Sequence, residues 1–287
     1  MRLVNFERDG ERCLGALEDE TVVDLSDSGL PNDTVDLIAQ WDRAKTEHAI
    51  GQGPRLPAAG VRLLAPLAPR KNIIAVGRNY RDHAQEFSDS GFDASEKQMI
   101  PEHPVIFTKA PTSVIGPDES IVLANDPTAT TDYEGEMAVV IGLTARNVST
   151  DEARDHVFGW TIVNDVTARE LQKRHVQWFV GKSPDTFCPI GPVITTVDEL
   201  PDIGSSWLRT TINGELRQEA RISDLIFDVP MLIATLSSVM TLEPGDLIAT
   251  GTGQGVGIGF DPPRYLEPGD VVEISIDGIG TLRNPVI

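Results

Sequence analysis

TDYEGEMAVVIG, residues 131–142, sets two glutamates two positions apart, Glu134 and Glu136, ahead of an unbroken apolar run over 137–141. Successive strand side chains alternate faces, so both carboxylates project from one side. The apolar run reads as a strand covered on both faces. Two like charges at the mouth of such a strand suit either a solvated strand end or a cation held between them.

Outward from this strand the chain is rich in short β-like runs. They include NIIAVG, PVIFTK, SIVL, GWTIVND, PVITT, LRTTING, DLIATGT and VVEISIDGIG, with hairpin signals at Asn213-Gly214 and Asp277-Gly278. Helices are expected over 150–157, from Asp165 through VTARELQKRHVQW, and over 228–240, where Asp228 is a candidate N-cap and Pro230 falls in the first turn. Regular βα alternation is missing, which argues against a doubly wound sheet. The pattern predicts a mixed α+β, β-dominated fold with flanking helices.

The first sixty residues read as a small β-rich module. RLVNFE, RCLGALE and TVVDLS suggest three strands, with Asp9-Gly10 in the first turn, and DTVDLIAQWDRA (33–44) a helix. GQGPRLPAAG (51–60) is Pro/Gly-rich and marks the boundary. The expected division is 1–60, module and linker, and 61–287, catalytic domain.

Composition excludes several functions. A formal net charge of −20 over 287 residues would repel phosphates, so neither nucleic acid nor an anionic membrane is an expected partner. No apolar run reaches membrane-helix length, MRLVNFERDGE lacks a signal peptide's apolar core, and Cys13 and Cys188 form no disulfide framework; a cytoplasmic protein is the expectation. The acidity suits a salt-loving source or a soluble protein of a GC-rich genome. Lysines are few (45, 71, 97, 109, 173 and 182), which draws attention to any that sits in an apolar segment.

GWTIVNDVTARELQ (159–172) runs an apolar strand into Asp165, either a helix cap or a third carboxylate beside the glutamates. Three such acids would need a cation, and oxygen-only ligands point to Mg²⁺ or Mn²⁺, with Ca²⁺ a further option, rather than zinc. Arg169 and Gln172 follow at helical spacing, where they suit a substrate carboxylate or an exposed face. QWFVGKSPDTFCPIGP (177–192) places Lys182 among apolar, glycine and proline residues, where it could stabilise an oxyanion. VGRNYRDHAQEF (76–87) offers His83 and Glu86 at i and i+3, a surface pair or a general base with its orienting carboxylate. DLIATGTGQGVGIGF (246–260) matches no nucleotide-binding signature; its loop suits a small anion at Thr250 or Thr252, or is a plain glycine-rich turn.

Together VGRNYRDHAQE, PVIFTKAPTSVIGP, DYEGEMAVVIG, GWTIVNDVTARELQ, GKSPDTFCPIGP and EPGDLIATGTGQGVG, in this order over about 72–286, resemble the fumarylacetoacetate hydrolase superfamily, in its acylpyruvase-like and 2-hydroxyhepta-2,4-diene-1,7-dioate isomerase-like branch. The resemblance implies a β-roll, a homodimer, and Glu134, Glu136 and Asp165 as ligands of Mg²⁺ or Mn²⁺. It implies Lys182, Arg169, Gln172 and Thr252 around the substrate, and His83 with Glu86 as a catalytic dyad on a segment that closes as a lid. Three departures stand out: no clear fourth carboxylate ligand, Gly253 where many relatives have proline, and a long segment after Glu86, FSDSGFDASEKQMIPEHP (87–104).

The implied activity is hydrolysis of the C–C bond of a 2,4-diketo acid of the acylpyruvate or fumarylpyruvate type, giving pyruvate and a carboxylic acid. His83 would activate the water, and Lys182 would stabilise the pyruvate enolate. Oxaloacetate decarboxylation, or isomerisation or hydration of a 2-oxo-dienoate, would use the same residues. A non-catalytic module that binds a small acid is the alternative from another class.

Overall fold

The computed structural model describes residues 1–91 and 100–287. Residues 92–99 of the long segment after Glu86 lie outside the described residues. At the N-terminus β1 (Arg2–Arg8), β2 (Glu11–Glu18) and β3 (Thr21–Asp24) form a meander. Its first turn, Asp9-Gly10, has φ of 54° and 80°, as a two-residue type I′ hairpin requires. The helix expected over 33–44 is two helices, α1 (Thr34–Ala39) and α2 (Arg43–Gln52). Asp42 starts the second by accepting the Lys45 N–H. The Pro/Gly-rich stretch 51–60 carries the end of α2, β4 (Arg55–Pro57) and a 3₁₀ turn.

Next come β5 (Arg62–Leu64), β6 (Ile73–Gly77), α3 (Arg81–Asp89), β7 (Val105–Lys109) and β8 (Val114–Ile115). The glutamate stretch supplies β9 (Thr131–Asp132) and β10 (Gly135–Ile141), followed by β11 (Val157–Asn164) and β12 (Thr167–Ala168). Then follow α4 (Arg169–Arg174), α5 (Phe179–Lys182) and β13 (Cys188–Thr196). The chain ends with β14 (Trp207–Ile212), β15 (Glu215–Arg221), α6 (Val229–Val239), β16 (Leu247–Thr252), β17 (Val271–Ile276) and β18 (Gly280–Pro285).

Among the described residues twelve strands join one mixed sheet, ordered β4-β3-β2-β1-β13-β11-β10-β16-β6-β7, with β5 beside β1 and β8 beside β13. A second sheet, β15-β14-β17-β18, packs against it through Leu208, Ile274 and Leu282. The fold is thus mixed α+β and β-dominated, as expected. Every residue of β10 is buried, and its side chains split by parity. Met137, Val139 and Ile141 enter one apolar cluster; Ala138 and Val140 enter another. This is why the run has no polar face to alternate with.

Two expected helices differ. Over 150–157 there is only a 3₁₀ turn, Ala153–His156, leading into β11. The helix expected from Asp165 starts four residues later, after β12 has paired with β9, and Ala168 stands at its N-cap. Asp165 therefore caps nothing. The third helix is as expected: Asp228 accepts the Met231 N–H at 2.9 Å. No helix among the described residues is long and apolar enough to cross a membrane.

Candidate active site

Gly135 pairs with Asn164 across β10 and β11. One step further, Glu134 and Asp165 oppose each other, and the Asp165 N–H donates to the Glu134 carbonyl at 2.8 Å. Directly opposed residues share a face, so register brings the aspartate to the glutamates. Asn164 Oδ1 fixes the corner by accepting the Glu134 N–H at 3.0 Å. Only glycine fits between the glutamates, because a Cβ at Gly135 would collide with Thr210 of β14. On the other edge Glu136 faces Thr252 of β16, and the register slips between Glu136 and Ala138. Such an irregularity re-aims side chains next to a site. Carboxylate oxygens of Glu134, Glu136 and Asp165 lie within 4.8 Å of one another, and all three residues are buried.

Three cations surround this triad. Lys182 Nζ lies 2.8 Å from Glu134 Oε2 and 2.6 Å from Asp165 Oδ2. Lys109 Nζ lies 2.7 Å from Asp165 Oδ1 and donates to the carbonyls of Val166 and Lys182. Arg169 reaches Glu134 Oε1 at 2.6 Å and forks onto Asp132 at 2.9 and 2.8 Å. Asp132 also accepts the N–H groups of Gly257 and Ile258, at 2.7 and 3.1 Å, which ties the glycine-rich loop to the acids.

The charges are unevenly matched. Burial raises the pKa of Glu134, but Lys182 and Arg169 outweigh it and hold the carboxyl down to about 2. Glu136 has no ion-pair partner among the described residues; the Gly251 N–H donates to it at 2.8 Å. Burial first, then Asp165 and Glu134, push its pKa well above the usual range. A buried carboxylate facing two others, with no cation of its own, fits a site for a hard divalent ion. Glu134, Glu136 and Asp165 could hold that ion.

His83 and Glu86 lie on α3. His83 Nδ1 is 3.1 Å from Glu86 Oε2, while Glu86 Oε1 accepts the Gly255 N–H at 2.9 Å. With its Nδ1–H given to Glu86, the imidazole carries its lone pair on Nε2. A Cβ at Gly259 would collide with the Glu86 carboxylate, so the loop also fixes where the dyad sits.

His83, Glu134, Glu136, Arg169, Gln172, Lys182 and Thr252 line one cavity of about 10 Å³, room for one water. Glu86 backs His83, and Asp165 backs Lys182. Phe87, Phe107 and Trp178 wall the cavity, with ring centroids 5.9 Å apart for Phe87–Trp178 and 5.2 Å for Phe107–Trp178. All nine residues singled out in the sequence thus meet at one place. Two have prior engagements. The Arg169 guanidinium is committed to Asp132 and Glu134, with Gln172 Oε1 at 3.4 Å. Thr252 Oγ1 donates to the Gly135 carbonyl and accepts from Gln218, at 2.9 and 2.8 Å. Lys109 and Asp132 were not singled out. Lys109 carries the same signal as Lys182, a lysine in an apolar run of a lysine-poor chain. Asp132 precedes Glu134 by two positions, on the same alternation.

A β-dominated fold with a buried three-carboxylate centre, lysines against it and a His–Glu pair at the same cavity marks a superfamily whose members are enzymes. The chain belongs to the fumarylacetoacetate hydrolase family: residues 72–287 match the model described as fumarylacetoacetate (FAA) hydrolase C-terminal. It is 45% identical over 290 residues to oxaloacetate tautomerase YisK of Bacillus subtilis (strain 168), covering 94% of each chain. A fumarylacetoacetate hydrolase from psychrophilic Exiguobacterium antarcticum superimposes with a TM-score of 0.86 at 43% identity, over 100% of this chain and 99% of that one. Maleylpyruvate hydrolase from Sphingobium sp. SYK-6, in complex with manganese (II) ion and pyruvate, does so at 0.82 and 32% identity, with the same coverage.

Proposed function

We propose that this chain is a Mg²⁺- or Mn²⁺-dependent enzyme that moves a proton at C3 of a small 2-oxo acid, and that its first reaction is keto–enol tautomerisation of oxaloacetate. The observation that carries this reading is the convergence of the His83–Glu86 dyad and the buried triad on one cavity. When bound, the divalent ion would polarise the 2-oxo group as a Lewis acid. His83 Nε2 exchanges the proton at C3, and Glu86 holds the ring and stabilises its charged form. Lys182 adds positive charge where the oxyanion develops. Arg169 and Gln172 keep the acids and the pocket wall in position, and Thr252 fixes the strand edge beside Glu136. The atoms balance, since the enol gives up its O–H proton and C3 gains one. The 45% identity to a tautomerase supports this order of activities.

C–C hydrolysis of acylpyruvates, the first expectation from the motifs, is the second reading. The dyad suits it equally: His83 would take a proton from water as that water attacks the 4-carbonyl, releasing pyruvate and an acid. The likeness to a maleylpyruvate hydrolase supports it. The deciding experiment follows enol-oxaloacetate loss by absorbance, and pyruvate release from acetylpyruvate, fumarylpyruvate and oxaloacetate, each with Mn²⁺ or EDTA. Metal-dependent loss of the enol without pyruvate is the expected result. Pyruvate from the diketo acids would make hydrolysis the main activity, and pyruvate from oxaloacetate would make it decarboxylation. Silence throughout would remove the proposal. A homodimer in the cytoplasm is part of the proposal, and light scattering checks the dimer.

A further inference from the structure

We infer that Tyr133 is a positioning residue for the His83–Glu86 dyad and acts through Gly255; the inference rests on the reading of that dyad as the acid–base group of the site. Tyr133 stands between Asp132 and Glu134 in the chain. Glu134 lines the cavity of the acids, whereas Tyr133 lines a separate groove with Arg217 and Tyr265 and is buried. A phenol placed next to the triad but turned away from it has another partner to serve.

The hydroxyl identifies that partner. Tyr133 Oη donates to the Gly255 carbonyl at 2.9 Å, and the Gly255 N–H donates to Glu86 Oε1 at 2.9 Å. Glu86 Oε2 in turn lies 3.1 Å from His83 Nδ1. A single residue of main chain thus separates the phenol from the carboxylate that orients the imidazole. Gly255 has a φ of 96°, and a Cβ on it would run into the Arg217 carbonyl of β15. The loop is therefore pressed against β15 at the residue whose carbonyl Tyr133 holds.

Such a tie matters in this loop. Residues 253, 255, 257 and 259 are all glycine, so the backbone has little preference of its own and its shape is imposed by its partners. Gln218 Nε2 donates to the Gly253 carbonyl at 2.9 Å, and Asp132 accepts the N–H groups of Gly257 and Ile258. Tyr133 supplies the tie between these two, at the residue that meets Glu86. Without its hydroxyl both flanks stay anchored, and the Gly255 N–H is left free to drift from the carboxylate it positions.

Tyr133→Phe removes the donor and keeps the ring. In metal-dependent loss of enol-oxaloacetate, kcat is expected to fall about tenfold, with KM within about twofold and the Mn²⁺-induced rise in Tm retained. In a Glu86→Ala background the same substitution is expected to cost less than about twofold, because the group it acts through is gone. A merely structural phenol would cost the same in both backgrounds. The second readout needs no turnover. In the Mg²⁺-loaded protein with isotope-labelled histidine, the Nδ1–H resonance of His83, identified by its loss in His83→Ala, is expected to shift or broaden in Tyr133→Phe. A wild-type kcat, an unmoved resonance, or equal losses in both backgrounds would overturn the inference. If the wild type leaves the enol untouched while the resonance responds to Tyr133→Phe, the positioning stands and the proton-transfer reading falls. Wild-type turnover with an unmoved resonance does the reverse.

Discussion

Lys109 Nζ lies 2.7 Å from Asp165 Oδ1, and both side chains are wholly buried. Removing one partner of such a pair strands the other's charge away from water. For the metal-free protein, Lys109→Met is expected to cost about 3–5 kcal/mol in urea unfolding. A loss below about 1 kcal/mol would show that Lys182 alone compensates Asp165.

Glu136 sets the behaviour of the metal-free protein with pH. A carboxyl whose folded-state pKa is raised binds more protons folded than unfolded, so stability falls as pH rises above its usual 4.5. Glu134, held down to about 2, acts in the opposite sense and in a lower window: its contribution is lost as pH falls from 4.5 toward 2. The Tm in EDTA is expected to decline from mildly acidic to neutral pH. Glu136→Gln should flatten that decline. Saturating Mn²⁺ should stabilise the wild type at neutral pH by about 2.7 kcal/mol at a hundredfold excess over Kd, with a matching rise in Tm, and should hardly affect the variant. A wild-type Tm that ignores both Mg²⁺ and Mn²⁺ would remove the metal site.

His83→Ala separates the dyad from the triad. Proton transfer should slow by about 10²–10⁴-fold, the usual range for a positioned acid–base group. The Mn²⁺-induced rise in Tm should persist, because no metal-facing carboxylate has changed. Equal loss of rate and metal response would mean that the imidazole supports the triad rather than the chemistry.

Gly259→Ala should act at a distance on the same dyad. The added methyl meets the Glu86 carboxylate, the mobile end of a side chain, so the chain can yield with little loss of Tm. The displaced Glu86 would no longer orient His83. The variant is therefore expected to match Glu86→Ala in lost rate while keeping nearly the wild-type Tm. A wild-type rate would show that the orientation of His83 does not depend on Glu86.

Strand alternation made Glu134 and Glu136 legible, because parity is a local property of extended backbone. The placement of Asp165 was not derivable in the same way. It depends on the pairing of Gly135 with Asn164, and register is a tertiary fact. The helix expected from Asp165 failed for a related reason. Residues 167–168 pair with β9 before the helix starts, and pairing across the chain overrides helical spacing. The helix then stops at Arg174, and a second short helix folds Gly181 against the Gln172 backbone, where any Cβ would collide. Lys109 and Asp132 were as visible as Lys182 and Glu134. Their roles as partners of other side chains, however, show only once the chain is folded.

The triad is written into adjacent rungs of a fully buried sheet, whereas the His83–Glu86 pair rides on a short helix attached at its edge. The two halves answer to different constraints. Editing the sheet half disturbs two apolar cores at once. The helix half can be exchanged, lengthened or re-aimed without touching those cores. A fold built this way keeps the buried acids apart from the groups set against them, and the proteins it resembles include both a tautomerase and a hydrolase.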